Sequence, residues 1–138
     1  LIQTAGLSSN ISVLHLGEED DDDDDNLVGL LERNGVKDTV VDFLFIDHDK
    51  RAYLSDLQAL EWAGLVGKGT HVAADNVVFA QINDYRQYIQ ELVAKDIVQS
   101  EQKDSVLEYS EAWTDTTTIT IKDAIELTVY SKDPHQRR

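Results

Sequence analysis

Two stretches of this chain end apolar runs on oxygen-bearing side chains, the arrangement from which a cation site can be built. Val40-Val41-Asp42-Phe43-Leu44-Phe45-Ile46 is nearly continuous apolar and stops at Asp47; Thr70 to Ala74 stops at Asp75-Asn76. In open α/β sheets, ligands bind beyond the carboxyl ends of the strands. If the two runs are neighbouring strands, two carboxylates and one amide carbonyl converge on one rim. That donor set needs neither His nor Cys, and it suits a hard cation such as Mg²⁺ that keeps some water and takes up substrate oxygens. The same residues also read as solvated strand ends and helix caps. Lys50, taken alone, reads as a surface lysine at the start of a helix.

The elements that would position these residues alternate between the two periodicities. Leu1, Ile2 and Ala5 before Gly6 look like the last turns of a helix and its stop. Ile11 to Leu16 alternates apolar and polar and predicts a short strand closed by Gly17. Leu27 to Arg33 predicts a short amphipathic helix stopped by Gly35. The run ending at Asp47 predicts a strand buried on both faces. Tyr53 to Ala63 carries a helical stripe of Leu54, Leu57, Ala59, Leu60 and Ala63, ended by Gly64. Thr70 to Ala74 is the next strand, and Tyr85 to Val93 the next amphipathic helix. Ser105 to Trp113 and Thr117 to Tyr130 read as an antiparallel, hairpin-like pair at one end of the sheet. Alternating strands and helices predict an α/β fold with a mostly parallel sheet.

Composition narrows the function classes. With 138 residues, 41% hydrophobic and 28% charged, the chain suits one soluble globular domain. No apolar run approaches the roughly 20 residues that span a bilayer, so no membrane partner is expected. The net charge of −15 repels phosphate backbones and argues against nucleic acid. The absence of cysteine excludes disulfides and thiolate metal sites and is compatible with a cytoplasmic location. Much of the acidity sits in Glu18 to Asp25, expected as a solvated loop. Asp21, Asp23 and Asp25 with Glu32 imitate a calcium-binding loop, but Asn26 stands where that loop needs glycine. The lack of methionine and the opening in mid-pattern suggest a piece of a longer protein.

The wording around the candidate residues resembles the catechol O-methyltransferase family. Phe45-Ile46-Asp47-His48-Asp49-Lys50 with Tyr53-Leu54 resembles its strand-end motif. Gly64-Leu65-Val66-Gly67-Lys68-Gly69-Thr70 leading to Ala74-Asp75-Asn76-Val77 resembles a second motif, and Val106-Leu107-Glu108-Tyr109 a third, in the same order. The resemblance covers about Val41 to Tyr130 and, more loosely, Ala5 to Gly17. It implies the C-terminal part of a Rossmann-like methyltransferase fold with a terminal antiparallel β-hairpin. It also implies transfer of a methyl group from S-adenosylmethionine to a Mg²⁺-bound catechol. Asp47, Asp75 and Asn76 would be metal ligands, and Lys50 the base. Lys50, Asn76 and Glu108 would meet the substrate, while Asp47, His48 and Glu19 would lie toward the cofactor. A lysine near a metal and short of water is expected to have a lowered pKa.

The chain also departs from that family. The glycine-rich turn and ribose-binding acid expected for S-adenosylmethionine are not found. Glu18 and Glu19 replace small polar residues that meet the adenine, and Asp49 stands where an aromatic is usual. The acidic loop of about residues 18–26 and the stretch Thr114 to Thr118 resemble insertions. Two expectations follow: a partial methyltransferase domain over residues 1–138 that is weakly stable and inactive alone, or a non-enzymatic acidic relic of the fold that binds a metal or a partner.

Overall fold

The computed structural model describes residues 5–6, 9–16, 26–106 and 122–135. The chain divides into two compact units, Leu1–Lys37 and Asp38–Arg138. Among the described residues, no helix is long and apolar enough to cross a membrane.

The first unit contains one described helix, α1 (Leu27–Arg33). Asn26 caps it: its side-chain oxygen accepts the Gly29 N–H at 2.8 Å, satisfying a donor the first turn leaves free. At the other end the Val36 N–H reaches back to the Leu31 carbonyl at 2.9 Å. The expected strand at Ile11 to Leu16 is a correction: these residues have no regular structure, and Val13 is 63% exposed. A strand needs a neighbour to take its backbone hydrogen bonds, and no other strand is described in this unit. The acidic run, Gly17 and the calcium-like aspartates lie outside the described residues, as do residues 1–4.

The second unit is a four-stranded sheet with two helices. Its strands are β1 (Phe43–Ile46), β2 (His71–Ala74), β3 (Val98–Val106) and β4 (Lys122–Tyr130), in the order β1-β2-β4-β3. Between β1 and β2 run a single 3₁₀ turn, Lys50–Ala52, and α2 (Tyr53–Trp62); α3 (Asn83–Ala94) joins β2 to β3. The described sheet is mixed: β1 and β2 pair in parallel, and β4 pairs antiparallel with both β2 and β3, so β1, β2 and β3 run in one direction and β4 alone runs against them. The closing antiparallel pair agrees with the sequence, but β3 begins seven residues before the expected Ser105. Its start, Val98-Gln99-Ser100-Glu101-Gln102-Lys103, is too polar to register as a strand by hydrophobicity, as is common where one edge and one face meet water.

Tyr53, Leu57 and Leu60 of α2 and Tyr85, Ile89 and Leu92 of α3 are buried at helical spacing. With Ile46, Val72, Ala74, Val98, Ala124 and Tyr130 of the strands they make the core. The Tyr53 and Tyr85 rings meet edge to face at 5.9 Å, tying the two helices together. Gly64, at φ +70°, ends α2: the Leu65 N–H returns to the Leu60 carbonyl at 2.9 Å and the Gly64 N–H to that of Glu61. The expectation that β1 is buried on both faces is corrected. It is the edge of the described sheet, and its alternate residues Phe43 and Phe45 are 62% and 53% exposed.

Under the sheet, Glu61 is 3% exposed and accepts hydrogen bonds from the hydroxyls of Tyr88 and Tyr130. Burial raises the Glu61 pKa against the lowering pull of those two hydroxyls. Replacing Glu61 with alanine strands one buried and one half-buried hydroxyl, each costing about 1–3 kcal/mol. We therefore expect Glu61→Ala to destabilise the fold by about 3 kcal/mol in urea melts. A midpoint unchanged from the parent would show that this network carries no net stability.

Candidate functional site

The parallel register of β1 and β2 determines where the candidate residues fall. Ile46 pairs with Ala74, so Asp47 and Asp75 leave adjacent strands at the same level. The Asp75 N–H continues the ladder to the Ile46 carbonyl at 3.0 Å. After it the backbone turns sharply, with Asn76 at φ +56°, a left-handed conformation that asparagine tolerates better than most residues. On the other side, Asp49 caps the 3₁₀ turn by accepting the Arg51 N–H at 3.0 Å, which points Lys50 back over the strand ends.

Lys50 lies at the centre. Its ammonium donates to Asp47 Oδ1 at 2.8 Å, to Asn76 Oδ1 at 3.1 Å and to the Tyr53 hydroxyl at 2.6 Å. Tyr53, fully buried, donates its own hydroxyl proton to the Asp75 carbonyl at 3.1 Å. Thus the structure brings Asp47, Asn76 and Lys50 into direct contact. Asp75 stands beside them, with its Oδ1 accepting the Asn76 N–H at 2.8 Å. The Asp47 and Lys50 side chains are 45% and 31% exposed, so a small molecule has access.

Among these acceptors the net shift of the Lys50 pKa is upward: burial pushes it down, but the Asp47 carboxylate and the Tyr53 hydroxyl stabilise the ammonium more. The expected lowering concerns a lysine beside a bound metal. Lys50 is here a cation held by the rim's own acceptors.

His48 points elsewhere. Its Nε2 is 2.7 Å from Asp56 Oδ2, and its ring lies 5.2 Å from that of Tyr53, so it braces α2. Asp49 is engaged by Arg51, whose side-chain and backbone hydrogen bonds hold its pKa at about 2. Glu19 and Glu108 lie outside the described residues.

Asp123 joins the site without any signal in the sequence. It is 3% exposed near the start of β4; its Oδ2 accepts the Asn76 side-chain amide at 2.7 Å and its Oδ1 the Phe79 N–H at 3.0 Å. Burial raises its pKa, but these and neighbouring backbone N–H groups outweigh it, and the net shift is downward. No spacing marks it, because these partners lie more than 40 residues away.

The residues present fit a hard divalent cation. Asp47 Oδ1 and Asn76 Oδ1 already face one positive charge, the Lys50 ammonium, and the donors at this rim are carboxylate and amide oxygens. Among the described residues no group of three or more His, Cys, Asp or Glu gathers. The set here has two carboxylates, with an amide supplying the third oxygen.

No protein-family model matches the chain. Catechol O-methyltransferase of Bos taurus is 30% identical over 130 residues, covering 94% of this chain and 41% of that protein. The Mus musculus enzyme of the same name is 35% identical over 89 residues, covering 64% of this chain and 31% of that protein. The chain thus spans less than half the length of these curated relatives. Among solved structures, a candidate O-methyltransferase from Klebsiella pneumoniae superposes with a TM-score of 0.61 at 18% identity, over 94% of this chain and 53% of that one. An O-methyltransferase from Bacillus cereus in complex with SAH gives 0.50 at 19% identity, over 75% and 45%. These likenesses establish the fold as Rossmann-like and of the methyltransferase type. The sequence relatives and the ordered motifs around Asp47 and Asp75 make the chain similar, over less than half of their length, to catechol O-methyltransferases.

Proposed function

We propose that this rim serves magnesium-dependent transfer of a methyl group from S-adenosylmethionine to a catechol hydroxyl. The observation that carries the reading is the Lys50 ammonium held between Asp47 Oδ1 and Asn76 Oδ1, at the adjacent ends of two parallel strands. It puts a proton carrier and two oxygen donors within one hydrogen bond of each other.

When bound, Mg²⁺ would hold both catechol oxygens and acidify the hydroxyl to be methylated. Asp47, Asp75 and Asn76 would supply the protein oxygens. Once Asp47 and Asn76 are so engaged, Lys50 loses the two acceptors that stabilise its ammonium and keeps the Tyr53 hydroxyl in a partly buried setting. Those conditions favour the neutral amine and let Lys50 take the hydroxyl proton. Bound S-adenosylmethionine would supply the sulfonium methyl to that oxygen, its sulfur keeping the electron pair of the broken carbon–sulfur bond. Asp47 and Asn76 contribute by fixing the substrate oxygens in one orientation. By the family resemblance, Glu108 would hold the second hydroxyl.

The test is calorimetric titration of the chain with a catechol, with and without Mg²⁺. Saturable catechol binding that appears with Mg²⁺ and vanishes on chelation is the expected result. Binding indifferent to Mg²⁺, or none under either condition, would remove the metal from this reading.

A further inference from the structure

We propose that Asp123 determines which way the Asn76 amide faces and is therefore the positioning residue that makes Asn76 an oxygen donor toward the rim. The proposal rests on the reading of Asn76 as a ligand of a divalent cation.

The side chain of Asn76 lies between two groups of opposite hydrogen-bonding character. On one side is the Lys50 ammonium, which can only donate; on the other is the Asp123 carboxylate, which can only accept. With its oxygen toward Lys50 at 3.1 Å and its nitrogen toward Asp123 at 2.7 Å, the amide satisfies both. Turned by half a revolution, it would set donor against donor and acceptor against acceptor. The partners thus assign the orientation chemically.

The two partners are not equivalent. Lys50 is part of the exposed rim, and its contact with Asn76 must give way when a cation takes the amide oxygen. Asp123 stays: it is 3% exposed, and its second oxygen is anchored by the Phe79 N–H at 3.0 Å. Its bonds to Asn76 and Phe79 both fall on the loop after β2, where Asn76 and Gln81 hold positive φ values of 56° and 52°. After Lys50 withdraws, Asp123 is the group that keeps the nitrogen turned away and the oxygen presented. Ligands held by such outer partners bind more tightly, and loss of the partner costs about 10–100-fold in metal affinity.

The experiment uses the 138-residue chain as parent, as Asp123→Asn, and as Asn76→Asp combined with Asp123→Asn. In Asp123→Asn, the new amide must keep its oxygen on the Phe79 N–H, so its nitrogen faces Asn76. The Asn76 amide then flips and presents NH₂, which cannot ligate a metal. Mg²⁺ affinity by calorimetry should fall by about 10–100-fold. The double variant lets a carboxylate at position 76 accept from the amide introduced at position 123 while its other oxygen faces the rim. It should restore Mg²⁺ binding to the parent level or above. A purely structural role for Asp123 gives no such rescue. Unchanged Mg²⁺ affinity in Asp123→Asn, or a double variant as weak as the single, would overturn the proposal. Orientation is read independently by nuclear Overhauser contacts of the Asn76 amide protons, which should reach the Lys50 side chain in Asp123→Asn but not in the parent. Failure of the parent to bind Mg²⁺ would sink the metal reading. The amide contacts would then decide the orientation alone, and their absence in Asp123→Asn would refute it.

Discussion

A Lys50→Ala variant, assayed in the natural protein with S-adenosylmethionine and a catechol, should lose about two to four orders of magnitude in kcat. It should nevertheless bind Mg²⁺ at least as tightly as the parent. The opposite directions follow from the geometry. The Lys50 ammonium bonds to Asp47 Oδ1 and Asn76 Oδ1, the oxygens a metal would use, so it competes for the site as well as acting in it. Removing it frees both oxygens and deletes the proton acceptor. The pH dependence has a definite sign. Lys50 accepts the proton only as the neutral amine, a form that grows with rising pH. Turnover of the parent should climb toward alkaline pH, and the variant's residual rate should lack that Lys50-dependent rise. Paired kcat measurements and Mg²⁺ titrations check this. Parallel losses in rate and metal affinity would make Lys50 a structural brace.

Much of the arrangement is legible in the sequence because it depends on local chemistry. Strand-ending aspartates, the Gly64 helix stop and the helical stripes of Tyr53 to Ala63 and Tyr85 to Val93 are written in short windows. The early part of β3 escapes such a reading because Gln99, Glu101 and Lys103 give an edge strand little apolar signal. The Ile11 to Leu16 expectation fails for the converse reason: alternation supplies a surface to bury, but no strand is described in its unit to pair with. At the site, Asp47, Asp75 and Asn76 stand out as strand ends, but the roles of Tyr53 and Asp123 do not. Their partners at Asp75 and Asn76 are 22 and 47 residues away, and only the folded register brings them together. The upward shift of the Lys50 pKa comes from the Asp47 carboxylate and the Tyr53 hydroxyl, which the sequence does not show to be within reach of its ammonium.

Asp47→Ala should be the most damaging change at the rim, lowering methyl transfer in the natural protein by at least about a thousandfold. A bound metal contributes several kcal/mol of charge stabilisation at such a centre, and about 1.4 kcal/mol corresponds to each factor of ten in rate. Chelating Mg²⁺ from the parent should cause a similar loss that is reversed on adding Mg²⁺ back, whereas excess Mg²⁺ should not rescue the variant. Unfolding would not account for the effect. Ile46, the residue before Asp47, is 3% exposed and anchors the strand end in the core, while the Asp47 carboxylate is 45% exposed and pairs only with a partly exposed lysine among the described residues. Solvent-exposed ion pairs of this kind contribute about 0–1 kcal/mol to folding, so thermal melts of parent and variant should nearly coincide. A variant that keeps Mg²⁺-dependent turnover would remove Asp47 from the ligand set. It would leave the Asp47–Lys50 pair as a surface contact, since no other described bond of the Asp47 side chain would then explain its place at the end of β1.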